Sequence, residues 1–427
     1  MRRFLFPVAT CSQTRSRTSS FLFKSRFASR RFYSQEPVSD DPLRILFCGT
    51  DSFSTVSLEA LHDHSKTSGS GIISIDVVTR TDKRVGRGRR QLRGPAIKHV
   101  AEQRGLAVHQ IDTFTGWQPP TFGDTKKDPC NLIIAVSFGL LIPPRILGTA
   151  KYGGLNVHPS MLPDLRGPAP VEWSILLGRR NTGVSLQTLH PSRFDEGLVL
   201  DQTPQPGIGI PNPDTITSKE LEGYLAQVGA EMLVDAIKNK LYIPPYNPIQ
   251  PGRHISKEDL THAPKIKMEF RAVDFTQLTR IEVLRRNRAC GPLHAFAGSS
   301  SGPGQTRRIN LDTAIRTLDE DDIPEEVQAA ALSIPEAVPY AIVRSHKNIN
   351  ESDKPLIVNT KRGHDEDSRQ IVIPEVTVAA MARAPGAAAA ARAKFFAKPE
   401  SFGQFSLYRF SHPLTAQPMP PEVNTAR

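Results

Sequence analysis

Asn156 and His158 stand two residues apart at the head of "NVHPSMLPDLRGPAP" (156–170), directly after the apolar approach "GGL". Four prolines in those fifteen residues argue against a helix or a central strand through the segment. On a strand, a spacing of two turns both side chains to one face. An amide N–H can hydrogen-bond an oxyanion forming on a carbonyl, and an imidazole beside it can donate to the same oxygen or shuttle a proton. Asp195, in "HPSRFDEGLVL" (190–200), offers a carboxylate that could orient the ring, set its protonation and accept a proton by relay. Neither Asn156 nor His158 is nucleophilic enough alone to suggest a covalent intermediate. The chain has no G-x-S-x-G elbow, no HExxH and no phosphate loop ending in GK[ST]. Plain structural readings stay open. A strand-end His is often simply hydrogen-bonded, an Asn there is often a turn or cap, and Asp195–Glu196–Gly197 could be a hairpin turn.

The elements that must position these residues read as alternating strands and helices. "LRILFCG" (43–49), "GIISIDVVTR" (71–80), the run after Gly105, "CNLIIAVSFG" (130–139) and "GGLNVH" (153–158) are short apolar strands. Helical spacing follows the first strand at Val56, Leu58 and Leu61, and a further helix starts at Pro95. The pattern predicts an α/β, Rossmann-like, mostly parallel sheet with flanking helices, whose ligands sit at the carboxyl ends of the strands. "GVSLQTL" (183–189) and "GLVLDQT" (197–203) are two more strands. Thr217-x-x-Glu220 is a capping box opening a helix to about Asn239. This places a first domain at 43–240 and a proline-rich linker at 241–253. Beyond it, "DFTQLTRIEVLRRNRA" (274–289) and "AAAAARAKFFAK" (387–398) read as helices, with short β-type runs between them. Those runs predict a smaller β-barrel or open sheet over 254–400, interrupted by loops or insertions at 297–308 and 318–326, with a tail at 401–427.

The 427 residues are too many for one ordinary domain. Four cysteines without CxxC spacing fit a reducing compartment and argue against a cysteine-held zinc. No apolar run reaches the length of a membrane span, so no membrane is expected, and nothing asks for an obligate oligomer, so the chain is expected to be a monomer. The net charge is +11. Part of that excess is a leader: residues 1–35 hold eight basic residues, ten Ser or Thr and no acid. That composition predicts a mitochondrial transit peptide over 1–34 and a matrix location. A second concentration, "RTDKRVGRGRRQLRGPAIK" (80–98), holds eight basic residues against Asp82 alone. Glycines at 86, 88 and 94 make it a flexible cationic finger at the end of the second strand, suited to nucleic-acid phosphates, although a solvated charged loop is the plain alternative.

Taken together and in order, "LRILFCGTDSFS", "GRG" at 86–88, "AVSFGLLIP" (135–143), "NVHPSMLPDLRGPAPVEWSIL" (156–176) and Asp195 in "FDEG" resemble the methionyl-tRNA formyltransferases. The resemblance is strong over 43–240 and weaker at 254–290 and 371–397. It implies that Asn156, His158 and Asp195 are catalytic, and that the Ser160, Met161, Leu162 and Pro163 segment meets the pterin and formyl end of 10-formyltetrahydrofolate. It implies direct transfer of the formyl group to the α-amine of initiator methionyl-tRNA, with no metal. It assigns the cationic finger to the acceptor arm, with Arg84, Arg87, Arg89 and Arg90 as contacts, and gives the C-terminal unit an OB-like fold that binds tRNA mostly non-specifically. The sequence departs from the usual pattern at Pro159, where Gly is common, at Met161, where Leu is common, around "SRFDEG", and at "NRACGPLHAF" (287–296). Two other readings compete. One is a folate-dependent formyltransferase or deformylase acting on a small molecule. The other is a catalytically idle mitochondrial RNA-binding protein of the same fold.

Overall fold

A computed structural model describes residues 41–122, 128–249, 260–298, 306–311, 314–318, 323–344, 354–361, 370–379, 381, 384–402, 404–410 and 414. The expected leader lies outside the described residues.

The first domain is built on a seven-stranded sheet. Its elements, in chain order, are β1 (Leu43–Gly49), α1 (Ser52–Ser65), β2 (Ile72–Thr79), α2 (Ala96–Gln103), β3 (Ala107–Gln110), β4 (Leu132–Val136), β5 (Gly154–His158), α3 (Pro170–Leu176), β6 (Ser185–Thr188), β7 (Val199–Gln202) and α4 (Ser218–Lys238). The strand order is β7-β6-β5-β4-β1-β2-β3. Strands β3, β2, β1, β4 and β5 pair in parallel, and β6 pairs antiparallel with both β5 and β7. The order reverses between β1 and β4, so loops leaving their carboxyl ends diverge and open a crevice there.

Period-two alternation explains why the central strands are continuous apolar runs. Ile45 and Phe47 point into one core with α1 and α4, whereas Leu46 and Cys48 point into the other. The helices start where the sequence caps them. The Asp51 carboxylate accepts from Ser54 N at 3.2 Å, and Thr217 and Glu220 form the reciprocal capping box of α4. Helix α4 backs the strand that carries Asn156 and His158. A Cβ at Gly229 would stand 2.8 Å from Val157 Cγ1, so glycine is what allows this close approach.

The linker is not a free tether where it is described. Tyr242 is buried with its ring 5.1 Å from that of Tyr152, and the Tyr246 hydroxyl donates to Tyr152 O at 3.0 Å. Residues 250–259 lie outside the described set. The expected helix over 274–289 is α5 (Arg280–Cys290), which begins later because Thr279 and Glu282 form its capping box. Helix α5 joins the two halves: Ala289 and Cys290 enter the first core and Val283 the second.

The second half is antiparallel. One sheet orders Leu293–Gly298, Thr306–Leu311, Glu375–Val378 and Ala384–Pro385. The other orders Arg316–Thr317, Gln370–Ile373, Leu356–Asn359, Tyr340–Arg344, Phe405–Arg409 and Glu400–Phe402. The expected small β unit is therefore present, as two sheets among the described residues. Two boundaries change. Residues 400–409, expected mostly as tail, supply two strands, because Leu407 is buried and the backbone pairs with Tyr340–Arg344. The acidic stretch expected as a loop or insertion ends in a helix, Glu325–Ser333, which buries Val327 and Ala331 against Tyr340 and Leu407.

Candidate active site

A cavity of about 580 Å³ opens at the carboxyl ends of β1, β4 and β5. Asn156 and His158 end β5, two residues apart as the strand period requires, and Asp195 reaches them from the loop between β6 and β7. All three line the same cavity. The size suits a small organic headgroup rather than a whole macromolecule.

Every polar atom of this group has a defined role. Asn156 Nδ2 donates to Ala135 O at 2.9 Å, and Asn156 Oδ1 accepts from Gln187 Nε2 at 3.0 Å. An amide has two N–H bonds, so one Asn156 hydrogen remains for a ligand. His158 Nε2 faces Leu165 O at 3.1 Å, and Nδ1 faces Asp195 Oδ1 at 3.4 Å. Leu165 O and the Asp195 carboxylate can both only accept, so whichever ring nitrogen carries the hydrogen has a partner for it. Asp195 Oδ2 accepts from Gly167 N at 2.9 Å, and its Oδ1 accepts from Gln187 Nε2 at 3.3 Å.

The loop after β5 supplies the partners, and its backbone is held in uncommon conformations. Leu165, whose carbonyl meets His158, has φ +56°, and Asp195 has φ +55°. Gly167 has φ +122°, which glycine accepts readily. A strap beyond the linker, Thr261–Ala263, pins this loop. Leu165 N donates to Thr261 O at 2.8 Å, Ala263 N to Arg166 O at 2.7 Å, and Thr261 N to Asp164 Oδ1 at 2.9 Å. His262 of the strap also lines the cavity.

The rest of the wall is largely apolar, with Phe138, Leu141, Ile142, Val171 and Leu189. Three further carboxylates share the lining with Asp195: Asp51, Glu172 and Glu222. Asp51 stands at the cavity rim, where lost solvation of its carboxyl pushes it up to about 6, against the Ser54 N–H bond and aided by the charge of Glu222. Burial also raises Glu172, with Glu222 and Asp51 adding to it. Among the described residues, no group of three or more His, Cys, Asp or Glu is placed to hold a metal ion.

Ser160, Met161, Leu162 and Pro163 do not line the cavity. Polar groups of Ser160, Met161 and Leu162 are used within the protein. Leu162 N donates to Ser185 Oγ at 3.0 Å and Leu162 O accepts from Gln202 Nε2 at 2.9 Å. Ser160 O accepts from Ser185 Oγ at 2.7 Å, and Met161 Sδ accepts from the Thr203 hydroxyl at 2.8 Å. The segment is a brace behind the wall, and the lining comes from Ser137–Ile142 and Thr188–His190. Pro159, the unusual residue after His158, does line the cavity.

The cationic finger folds as a hairpin, Lys83–Val85 paired with Gln91–Arg93, around a short 3-10 turn at Arg87–Arg89. It leaves the carboxyl end of β2, which is separated from β5 by two strands, and lies on the same edge of the sheet as the cavity. Arg84, Arg89 and Arg90 are exposed and none makes an ion pair among the described residues. They do not line the cavity. Gln187 carries no local sequence signal; only strand pairing makes it the register partner of Asn156.

Residues 43–237 match the family model described as formyl transferase. The chain is 34% identical over 307 residues to the mitochondrial methionyl-tRNA formyltransferase of Saccharomyces cerevisiae, covering 64% of this chain and 73% of the relative. The chain belongs to the methionyl-tRNA formyltransferase family. The mitochondrial enzyme of Homo sapiens is 31% identical over 323 residues, covering 75% of this chain and 72% of the relative. The methionyl-tRNA formyltransferase of Bartonella tribocorum is 30% identical over 274 residues, covering 63% and 81%. Membership extends to bacterial relatives, and the matched formyl-transferase region contains Asn156, His158 and Asp195. Among the described residues, no helix of this family member is long and apolar enough to cross a membrane.

Proposed function

We propose that the chain transfers the formyl group of 10-formyltetrahydrofolate to the α-amine of methionyl-tRNA, giving N-formylmethionyl-tRNA for mitochondrial translation initiation. The observation that carries this reading is the convergence of Asn156, His158 and Asp195 in one cavity of a chain from this family. In this reading the folate is the formyl donor, a co-substrate, and its flat headgroup fits the apolar wall of Ser137–Ile142 and Thr188–His190. The spare Asn156 N–H stabilises the oxyanion of the tetrahedral species. His158, backed by Asp195, takes the proton released when the amine becomes an amide. The ring then holds an N–H toward Leu165 O and another toward Asp195, so both donors are satisfied. His158 then gives that proton to the departing tetrahydrofolate nitrogen, which closes the balance and restores the ring. His158 thus works as a base beside the oxyanion, and Asn156 is the donor with a hydrogen to give.

The hairpin at 83–93 contributes exposed cations, suited to acceptor-arm phosphates. The chain acts as a monomer in the mitochondrial matrix, delivered by the basic leader.

The assay mixes protein lacking the leader with 10-formyltetrahydrofolate and initiator tRNA, charged or uncharged. Formyl transfer confined to methionyl-tRNA is the expected result. Free formate made without tRNA would mark a hydrolase, and no consumption of the donor would leave an RNA-binding protein.

A further inference from the structure

Gln187 sits on β6 directly opposite Asn156, is 1% exposed, and bonds to both the amide and the carboxylate of the site. The orientation of its amide follows from main-chain groups alone. Gly197 N–H can only donate, and it stands 3.1 Å from Gln187 Oε1. Gln187 must therefore turn Nε2 toward Asn156 and Asp195. Nε2 in turn requires an oxygen from Asn156, so Oδ1 faces inward and Nδ2 faces outward. The other end of the chain of bonds agrees, because Ala135 O can only accept and it lies 2.9 Å from Asn156 Nδ2. One glutamine thus translates a fixed backbone N–H into an outward-facing Asn156 N–H and, with its second hydrogen, restrains the Asp195 oxygen nearest His158.

Resting on the formyl-transfer reading above, we propose that Gln187 is a positioning residue for that reaction. It prevents the Asn156 amide from turning its oxygen toward the forming oxyanion, and it holds Asp195 in reach of the ring. The residue acts through its neighbours, so its loss lowers turnover more than it changes binding of either substrate.

Two variants test this. Gln187→Met keeps the length and removes both donors. Its kcat is expected to fall about 10- to 100-fold, the usual loss when a partner orienting an active group is removed. KM for folate and for methionyl-tRNA should stay within about threefold in the same comparison. In an Asn156→Ala background, adding Gln187→Met should cost much less than it does alone, because both act on one amide. Gln187→Glu reverses the hydrogen bonds while ionised and restores a donor when protonated, so its kcat relative to wild type should rise as pH is lowered. A wild-type kcat in Gln187→Met overturns the proposal. So do losses that add fully in the double variant, or a Gln187→Glu profile parallel to wild type. If the methionine variant does not fold, the glutamate profile decides. A wild-type protein that forms no formylmethionyl-tRNA would instead overturn the functional reading itself.

Discussion

Gly167→Ala should damage the active site without touching a reacting atom. Gly167 N–H holds Asp195 Oδ2 at 2.9 Å, and the residue lies in the same short loop as Leu165, whose carbonyl holds His158. A Cβ at Gly167 would stand 2.5 Å from Ala263 O and 3.0 Å from Ala263 C. Those are backbone atoms of the strap, and Ala263 is itself bonded to Arg166 and Ala169, so neither side yields by a rotamer change. The φ of +122° adds strain for any L side chain. Relief needs a shift of roughly 0.5 Å or more at the loop, about the positional tolerance of a catalytic group. A 1 Å misplacement is worth about 10²-fold in rate, so a kcat loss of about 10- to 100-fold is expected. Overpacking and strain together should cost about 1–3 kcal/mol, or roughly 2–12 °C in Tm for a domain of this size. Gly223→Ala is the control: it sits exposed in α4 with nothing within 4 Å of a new Cβ. It should leave kcat unchanged and raise stability by about 1 kcal/mol through helix propensity. Steady-state formyl transfer and thermal melts of both variants decide. A Gly167→Ala protein with wild-type kcat and Tm would refute the idea that the strap and loop hold His158 and Asp195 in place.

Asn156→Ala should lower kcat by about 10²- to 10³-fold in the formyl-transfer assay with little change in folate binding, as for loss of one oxyanion donor. Asp51→Asn keeps the helix cap but removes an acid whose folded value, about 6, lies above its ordinary value of 3.8. A raised acid penalises the folded state once it ionises. The variant should therefore match wild type in Tm below about pH 4, gain on it between pH 4 and 6, and hold that gain above. Melts showing no pH-dependent difference would contradict the raised carboxyl. Asn131→Ala removes a buried amide that accepts from Arg44 N at 2.7 Å and donates to Pro42 O at 2.8 Å. Urea unfolding should show a loss of about 1–3 kcal/mol for the stranded groups. Replacing Arg89 and Arg90 together by Gln should weaken tRNA binding and flatten the dependence of log Kd on log salt, with kcat at saturating tRNA preserved.

The sheet was readable because each strand carries its own signal. "LRILFCG" and "LIIAV" are apolar on both faces because helices and loops cover both, and the capping boxes at Thr217 and Thr279 mark helix starts through bonds local in sequence. Asn156 and His158 could be paired in the same way, since two residues on a strand share a face whatever the rest of the chain does. The composition of the second half was a weaker guide. Strand Phe405–Arg409 pairs with Tyr340–Arg344 across more than sixty residues, and no local pattern announces such a partner.

What the sequence determined alone was therefore the alternation of elements, the two catalytic candidates on β5, and the cationic run that becomes the hairpin. These rest on periodicity, capping and charge, all short-range properties. Tertiary structure decided the rest. Strand pairing brought Gln187 opposite Asn156, loop closure brought Asp195 to 3.4 Å from His158, and the strap Thr261–Ala263 clamped the loop that serves both. The same packing spent Ser160 O and the Leu162 N and O on Ser185 and Gln202, while Ser137–Ile142 line the cavity. Each of these is a contact between segments distant in sequence, chosen by what else must be buried and bonded nearby. Such choices become definite only when the whole chain is folded.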